Sequence, residues 1–207
     1  MSNITLYRHP VSGHAHRVEL FLSLLGLEFD MVDVDLMKGA HKQPDFLAMN
    51  PFGQVPVLKD GDVTLFDSNA ILVYLAKTYD KSGQWLPENA VAAAQVQQFM
   101  SLAAGQLAAG PARARLITLF NAPYDADATI SAAHGFLATF NTMLQGQTWL
   151  VGDKPTIADV AHYSYIAKAP EGNVDLAEYD NVRQWLARVE ALQGFAPMMV
   201  SKVGLVK

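Results

Sequence analysis

The spacing of apolar residues along the first 80 positions follows two periods, one typical of strands and one typical of helices. Ile4 to Tyr7 is a short β-type run, and His9-Pro10 with Ser12-Gly13 then interrupts it. The next apolar residues recur at intervals of three and four, as on one face of a helix: Val18, Phe21, Leu22 and Leu25. Gly26 ends this predicted helix in the usual C-terminal position.

Alternating apolar and polar residues then predict further strands. In the segment EFDMVDVDL the apolar members are Phe29, Met31 or Val32, and Val34. A short polar helix is predicted around residues 43–49. Two short strands follow near residues 55–59 and 63–66, and the Asp-Gly pair between them is a strong hairpin signal.

The last helix of this half begins at Asp67 or Ser68, either of which can cap it. Residues 1–79 are therefore predicted to form a domain with the order βαβαββα. Its helical crossover allows the first strands to pair in parallel, and the hairpin adds an antiparallel edge.

After Tyr79 the pattern changes. Residues 80–90 are polar and rich in turn formers, and they are predicted to be a linker. Residues 91–207 are predicted to be an all-helical domain, because no segment there has a strand pattern. Its helical segments are AVAAAQVQQFMSLAAGQLAAG, TISAAHGFLATFNTML, TIADVAHYSYIAK and VRQWLARVEAL.

Composition limits the class of function. Of the 207 residues, 51% are hydrophobic and 17% are charged, which is typical of a globular protein with much buried helix. A net charge of -5 without a Lys/Arg block argues against nucleic acid binding, and no apolar run is long enough to cross a bilayer. The absence of cysteine excludes disulfides, thiolate metal sites and a cysteine nucleophile. With no secretion signal at the N-terminus, we expect a cytoplasmic protein.

Two residue pairs flanking the hairpin are candidates for binding a peptide-like ligand. Val55-Pro56 begins a strand where proline cannot donate to the ladder, and a cis bond there would turn the Val55 backbone outward. At the following helix start, Ser68 offers a hydroxyl, an N–H and the helix dipole to a carboxylate, and Asp67 offers its charge to an ammonium. A turn proline and an ordinary helix cap are the structural alternatives.

Other polar residues lie near the first helix and before the hairpin. His41 and Lys42 could hold a second carboxylate, or could be solvated surface. Ser12 precedes the first helix, where a hydroxyl without a general base is a poor nucleophile but a good donor to an anion. His14 and His16 have no acid partner in SGHAH, and their spacing is not that of a metal site. We therefore expect no metal.

The segment PTIADV, residues 155–160, is predicted to be a capping box. Thr156 can accept from the N–H of Asp159, and the Asp159 carboxylate can reach back to the Thr156 N–H. This arrangement indicates a structural role, the start of a buried helix.

Five segments resemble those of glutathione transferases, in the family's order: SGHAHRV, GAHKQP, NPFGQVPVL, LFDSNAILVYLAKTY and PTIADV. The resemblance covers nearly the whole chain. Ser12, five residues before Arg17, is similar to the serine of the phi-type and theta-type branches, which indicates a cytosolic, Ser-dependent, bacterial-like member. The resemblance implies a thioredoxin-like α/β domain followed by an all-α domain, and usually a homodimer.

The resemblance also implies that glutathione, γ-Glu-Cys-Gly, lies across the first domain as a cosubstrate, with no permanently bound cofactor. Val55 then pairs with the cysteinyl backbone beside a cis Pro56. Asp67 and Ser68 hold the γ-glutamyl group, with Gln54 close by.

Two further contacts are implied by the same resemblance. His41 and Lys42 are similar to residues that meet the glycine carboxylate of glutathione. Phe52 is similar to an aromatic residue that some branches insert into the partner subunit, although it could equally be a core residue.

The implied reaction is the addition of glutathione to a hydrophobic electrophile, a detoxification reaction. Ser12 would stabilise the thiolate, and Tyr7 is the alternative because other branches use a tyrosine from the end of the first strand. The electrophile pocket is expected between the domains, near Val11, His14, Gln106 and Arg113. Peroxide reduction or dehalogenation at the same site, and a binding module without catalysis, are the other functions that fit.

Overall fold

The protein forms two compact units in a computed structural model that describes residues 3–206. The first unit comprises the chain up to Lys81 together with Gln193–Met199, and the second comprises Ser82–Leu192 with the residues from Val200 onward. A segment near the C-terminus therefore belongs to the first unit, a feature that no local sequence pattern indicates.

The first unit has the predicted order βαβαββα, which confirms the thioredoxin-like fold. Its strands are β1 (Ile4–Arg8), β2 (Asp30–Asp33), β3 (Val57–Asp60) and β4 (Val63–Phe66). Its helices are α1 (Gly13–Leu24), α2 (Pro44–Met49) and α3 (Ser68–Tyr79), with a 3-10 turn at Ala40–Lys42.

The described strands form one sheet in the order β2-β1-β3-β4. β1 and β2 are parallel, while β1 with β3 and β3 with β4 are antiparallel, as the crossover helix and the Asp60-Gly61 turn predict. β3 begins only at Val57, since Pro56 has no N–H to give to the ladder.

The core of the first unit is built from the apolar stripes of its helices and the inner face of the sheet. Fully buried members are Leu6, Val18, Phe21, Leu22, Leu58, Ile71, Leu72 and Leu75. The edge strand β2 differs from its alternating pattern, because both Met31 and Val32 are exposed while Val34, just beyond the strand, is buried.

The regular secondary structure in the described residues of the second unit is all helical, as predicted. Its α-helices are α4 (Ala90–Leu102), α5 (Arg113–Phe120), α6 (Ala126–Met143), α7 (Ile157–Ala167) and α8 (Asp180–Glu190). Short 3-10 turns occupy Ala169–Gly172 and Gly204–Val206. Among residues 3–206 no helix combines the length and the apolar character needed to cross a membrane.

A π-helical segment, Ala103–Ala112, joins α4 to α5 without a break. It contains Pro111, which removes a backbone donor and would clash with the carbonyl four residues earlier in a regular α-helix. Its small residues allow a close approach to α6, since a Cβ on Gly110 would lie 3.0 Å from the Cα of Ala133. The sequence predicts a helix here but not its wider turn.

The capping box at the start of α7 is confirmed. Thr156 is the N-cap, and the Asp159 side chain accepts from the Thr156 N–H at 2.9 Å. Asp159 also accepts from the indole N–H of Trp185 at 2.9 Å and from the N–H of Leu150 at 3.1 Å. This carboxylate therefore joins three separate parts of the second unit.

Candidate functional site

Three of the predicted site segments converge at one end of the sheet. Tyr7 of β1 lies opposite Val57 of β3, which in turn lies opposite Phe66 of β4. The chain leaves β1 and β4 at this end of the sheet and enters β3 there. The connections at this end contain residues 9–12, residues 55–56 and Asp67, which Ser68 follows as the first residue of α3. The register of the sheet is thus what brings residues from distant parts of the sequence together.

Ser12 is the N-cap of α1. Its hydroxyl oxygen accepts from the Ala15 N–H at 3.2 Å, and its own N–H donates to the His9 carbonyl at 2.9 Å. Because a hydroxyl has one proton and two lone pairs, accepting from Ala15 leaves the proton for a ligand. The first turn of α1 contains no acidic residue, so its positive end is not neutralised locally. The Ser12 hydroxyl is therefore placed where it can donate a hydrogen bond to an anion.

A buried cluster joins the first turns of α1 and α3. The Arg17 guanidinium, 1% exposed, donates to Ser68 Oγ at 3.2 Å and to Asn69 Oδ1 at 2.7 Å. Ser68 itself is 2% exposed and begins α3. A buried cation beside the N-terminus of a helix creates positive potential at Ser68, which favours a carboxylate there.

The His14 ring lies next to Ser68 in this cluster. Its Nδ1 is 3.5 Å from Ser68 Oγ, at the limit of a hydrogen bond. Burial, with a further contribution from the Arg17 charge, lowers the pKa of His14 to about 3. The imidazole is therefore neutral at neutral pH, and the cluster carries the single positive charge of Arg17.

Replacing His14 with glutamine should reduce the acid sensitivity of folding. Between the ordinary pKa of 6.5 and the folded value of about 3, the unfolded chain binds a proton that the folded protein does not. The free energy of unfolding therefore falls as the pH falls through this range. His14 contributes up to about 1.4 kcal/mol per pH unit to this loss. Urea unfolding at several pH values checks this. The same pH slope in His14→Gln as in the wild type would contradict it.

Asp67 caps α3 from a strained backbone. Its Oδ1 accepts from the N–H groups of Asn69 at 2.8 Å and Ala70 at 3.2 Å. Its φ is 57°, a region that residues with a Cβ rarely adopt, and such strain is concentrated at functional sites. The exposed side chain retains a second carboxylate oxygen that can meet an ammonium group.

The loop before β3 is organised by Asn50, a buried residue that the sequence analysis did not single out. Its amide donates to the Gln54 carbonyl at 2.8 Å and accepts from the Phe52 N–H at 3.1 Å. The Val55–Pro56 peptide bond that follows is cis.

His41 and Lys42 pack against this loop. Lys42 Nζ lies 3.1 Å from the carbonyl oxygens of both Phe52 and Gly53. A Cβ on Gly53 would come within 2.7 Å of the His41 carbonyl, so only glycine allows the two segments to approach this closely. Burial and the Lys42 charge lower the pKa of His41, which favours its neutral form. The structure thus places the predicted His-Lys pair against the Phe52–Gly53 part of the loop.

The remaining predicted residues are divided between the two units. Tyr7, the alternative to Ser12, packs against an apolar cluster that contains Val34, Phe46 and Val57. Val11 lies in the first unit, between β1 and α1. In the second unit the Arg113 guanidinium lies over the Tyr124 ring, 4.6 Å from its centroid. Their roles in an electrophile pocket stay predictions.

The second unit carries an apolar cavity of about 340 Å³. Phe136 and Phe140 line one side, and both rings stack on the buried ring of His162. Gln106, which the sequence analysis assigned to the electrophile pocket, lines this cavity.

Phe52 is not a core residue, which rules out one of its two predicted roles. Its side chain is 68% exposed, and its ring meets the Phe66 ring edge-on at 5.9 Å between centroids. The Phe52 and Phe66 rings therefore form a pair at the surface of the first unit.

The contacts of Arg17 are not apparent from the sequence, in which this residue only marks the spacing from Ser12. One feature of the sequence indicates that Arg17 is buried, since it lies next to Val18 on the apolar helix α1. A buried guanidinium needs hydrogen-bond acceptors, but the sequence does not show that Ser68 and Asn69 supply them.

Comparisons with known proteins show the family to which the chain belongs. The family model for the N-terminal domain of glutathione S-transferase matches residues 2–77, and that for the C-terminal domain matches residues 114–193. Glutathione S-transferase 3 of Zea mays is 34% identical over 208 residues, covering 94% of this chain and 92% of the maize protein.

Solved structures give the same result. A glutathione S-transferase from Pseudomonas fluorescens Pf-5 superimposes with a TM-score of 0.89 at 31% identity, covering 96% of this chain and all of that one. A glutathione S-transferase from Xanthobacter autotrophicus Py2 superimposes with a TM-score of 0.86 at 30% identity, over 94% of this chain and 96% of that one. A thioredoxin-like unit and an all-helical unit define a cytosolic-type glutathione transferase fold. The chain belongs to the glutathione S-transferase family of enzymes.

Proposed function

We propose that this enzyme binds glutathione on its first unit, stabilises the thiolate with Ser12 and adds it to a hydrophobic electrophile. The observation that carries the proposal is the convergence of the Ser12, Val55 and Ser68 segments at one end of the sheet. They offer a hydroxyl donor, a backbone segment beside a cis proline and an anion site, which are the groups that a modified tripeptide with a free thiol needs.

The chemistry requires a modest preference for the anion. A free thiol has a pKa near 8.5, so only a few per cent is thiolate at neutral pH. Lowering that pKa by about 2 units takes about 2.7 kcal/mol. A charge-assisted hydrogen bond from Ser12, with the N-terminus of α1 behind it, is of this size. The nucleophile belongs to the cosubstrate.

The γ-glutamyl group would be held at the start of α3. Its carboxylate suits Ser68, since Arg17 supplies charge behind the hydroxyl. Its ammonium suits Asp67, whose second carboxylate oxygen is exposed, and Gln54 has an exposed side chain in the neighbouring loop.

The rest of the tripeptide would lie along the loop before β3. The Val55 backbone, beside Pro56, would pair with the cysteinyl residue. His41 and Lys42 would meet the glycine carboxylate, because an ammonium with three donors can keep the carbonyls of the loop and still bind an anion.

The electrophile is proposed to be a hydrophobic molecule, with Val11, His14 and Arg113 as its candidate contacts. Gln106 lines the apolar cavity and is therefore assigned to the dimer contact instead. Peroxide reduction and dehalogenation use the same thiolate and are the second candidate. A panel of electrophiles, halogenated compounds and peroxides, each assayed with glutathione, separates them. Turnover in the panel is expected. Retention on immobilised glutathione without turnover of any substrate would instead favour a non-catalytic binding module.

We further propose a cytoplasmic homodimer in which Phe52 of one copy enters the apolar cavity of the other. The exposed Phe52 and Phe66 rings need apolar cover, and the cavity offers aromatic walls and about 340 Å³. The absence of cysteine suits a reducing compartment, in which conjugation of electrophiles would serve detoxification.

Replacing Phe52 with alanine should weaken the dimer by roughly thirtyfold or more, since a buried aromatic anchor contributes about 2 kcal/mol or more to an interface. Sedimentation velocity over a range of concentrations measures this. Met37→Ala is the control, because Met37 is 80% exposed in the same unit but is not part of the Phe52–Phe66 pair. A monomeric wild-type protein, or a Phe52→Ala dimer as tight as the wild type, would refute the contact.

A further inference from the structure

The segment Gln193–Met199, here called the strap, follows α8 and packs on α1 within the first unit. Ser23 Oγ donates to the Gly194 carbonyl at 2.6 Å, and His16 Nε2 lies 2.9 Å from the Ala196 carbonyl. Because a carbonyl oxygen only accepts, His16 Nε2 must carry the proton. Two side chains of α1 therefore hold the strap.

The contact between the strap and α1 is close enough to depend on glycine. Gly194 has φ of +85°, and a Cβ there would lie 2.7 Å from the Ser23 carbonyl and 3.3 Å from Leu24 Cα. Met198, later in the strap, is buried. The strap is therefore closely packed within the first unit.

His16 connects the strap to Ser12. The His16 N–H donates to the Ser12 carbonyl at 2.9 Å, which closes the first turn of α1, while the His16 ring, 3% exposed, bonds to Ala196. The same turn contains the Ala15 N–H that donates to Ser12 Oγ. The residue that fixes the backbone of Ser12 is therefore itself fixed by the strap.

The chain after the strap is held in the second unit by a buried ion pair. The Ser201 N–H donates to one carboxylate oxygen of Glu171 at 2.9 Å, and Arg115 Nε lies 2.6 Å from the other. A Cβ on Gly204 would lie 2.5 Å from the Glu171 carbonyl, so the chain beyond the strap also packs closely. The strap has a fixed attachment on each side.

We propose that the strap is a positioning element of the thiol site, acting through the bond between His16 and Ala196 to set the direction of the Ser12 hydroxyl. His16 is a positioning residue, since it acts through the first turn of α1. The inference rests on the proposed role of Ser12 and extends it to a segment that lies 180 residues from His16 in the sequence.

Replacing His16 with leucine removes the donor and keeps an apolar side chain. We expect the pKa of the bound glutathione thiol to rise by about half a unit to one unit, and kcat/KM below that pKa to fall roughly three- to tenfold, because small displacements of a positioned group are costly. His16→Gln, which can still donate an N–H to Ala196, should restore most of both values. Titration of the thiolate absorbance measures the first and initial rates the second.

Ser23→Ala is the matched control, because it removes the other bond to the strap two turns farther along α1. It should leave the thiol pKa at the wild-type value. An unchanged thiol pKa in His16→Leu, an equal shift in Ser23→Ala, or no rescue by His16→Gln would overturn the proposal.

A second readout separates this inference from the proposed function. Amide hydrogen exchange in the first turn of α1, measured without glutathione, should be roughly fivefold faster in His16→Leu and unchanged in Ser23→Ala. Unchanged exchange in His16→Leu overturns the positioning role. If Ser12→Ala leaves the thiol pKa unaltered while exchange responds as expected, the proposed function fails and the strap still fixes the turn.

Discussion

Replacing Ser12 with alanine should raise the pKa of the bound glutathione thiol by about 1–2 units, toward the value of about 8.5 for a free thiol, because the hydrogen bond is lost while the N-terminus of α1 remains. At a pH about two units below the free-thiol pKa, the thiolate fraction then falls roughly five- to fiftyfold, and kcat/KM falls with it. The reason is the loss of the hydroxyl proton that the N-cap geometry leaves available. Thiolate absorbance as a function of pH, with initial rates on the same samples, tests both effects.

The same substitution also removes a helix cap, so the controls must separate stability from ionisation. Ser12→Ala loses the acceptor for the Ala15 N–H and about 1 kcal/mol of stability, whereas Ser12→Gly lacks the hydroxyl but loses only a few tenths of that as a cap. Equal loss of turnover in the two variants would assign the effect to the hydroxyl. Ser12→Thr keeps both the cap and the proton and should stay active.

Replacing Tyr7 tests the alternative assignment, in which the tyrosine and not Ser12 stabilises the thiolate. Its ring packs against the apolar cluster beside β1, so Tyr7→Phe should leave thiol ionisation unchanged. Full activity in Ser12→Ala together with loss of activity in Tyr7→Phe would transfer the catalytic role to the tyrosine.

The fold was predictable because its signals are local. Asp60-Gly61 fixes a hairpin, the 3–4 spacing from Val18 to Leu25 fixes a helix, and the capping box at Thr156 fixes where α7 begins. Each signal lies within a few residues of the structure that it specifies. The order of elements then leaves few ways to pair the strands.

The contacts within the candidate site were not predictable in this way, because they join distant parts of the chain. Arg17 meets Ser68 and Asn69 across more than fifty residues, and which acceptors satisfy a buried guanidinium is decided only by packing. The exposure of Met31 has the same origin, since an alternating pattern does not tell an edge strand from a central one.

The Asp159 carboxylate connects three segments of the second unit. Its side chain is 1% exposed, and burial raises the pKa of this carboxyl while its hydrogen bonds oppose that shift. The partners are the N–H groups of Thr156 and Leu150 and the indole of Trp185. A buried carboxylate is tolerated when several donors surround it, and each donor in turn depends on the carboxylate.

Replacing Asp159 with alanine should therefore lower the free energy of unfolding by about 3–5 kcal/mol, because two buried donors and one part-buried donor lose their acceptor, and each buried donor left without a partner costs about 1–3 kcal/mol. That is a large fraction of the roughly 5–15 kcal/mol that stabilises a typical domain. Urea unfolding followed by far-UV circular dichroism measures it, since the helical signal is present in every variant at this site.

Matched variants at the same cap assign the loss to the individual bonds. Thr156→Ala removes the hydroxyl that accepts from the Ala158 N–H and donates to the Asp159 carboxylate at 3.4 Å. It should cost about 1 kcal/mol, while Thr156→Ser should be near the wild type. Trp185→Phe removes the indole N–H that donates to the Asp159 carboxylate but keeps most of the ring volume. The loss of stability in this variant should therefore lie between those of Thr156→Ala and Asp159→Ala. If Asp159→Ala lost no more stability than Thr156→Ala, the carboxylate would be acting only as a helix cap, and the connection to Leu150 and Trp185 would contribute nothing to folding.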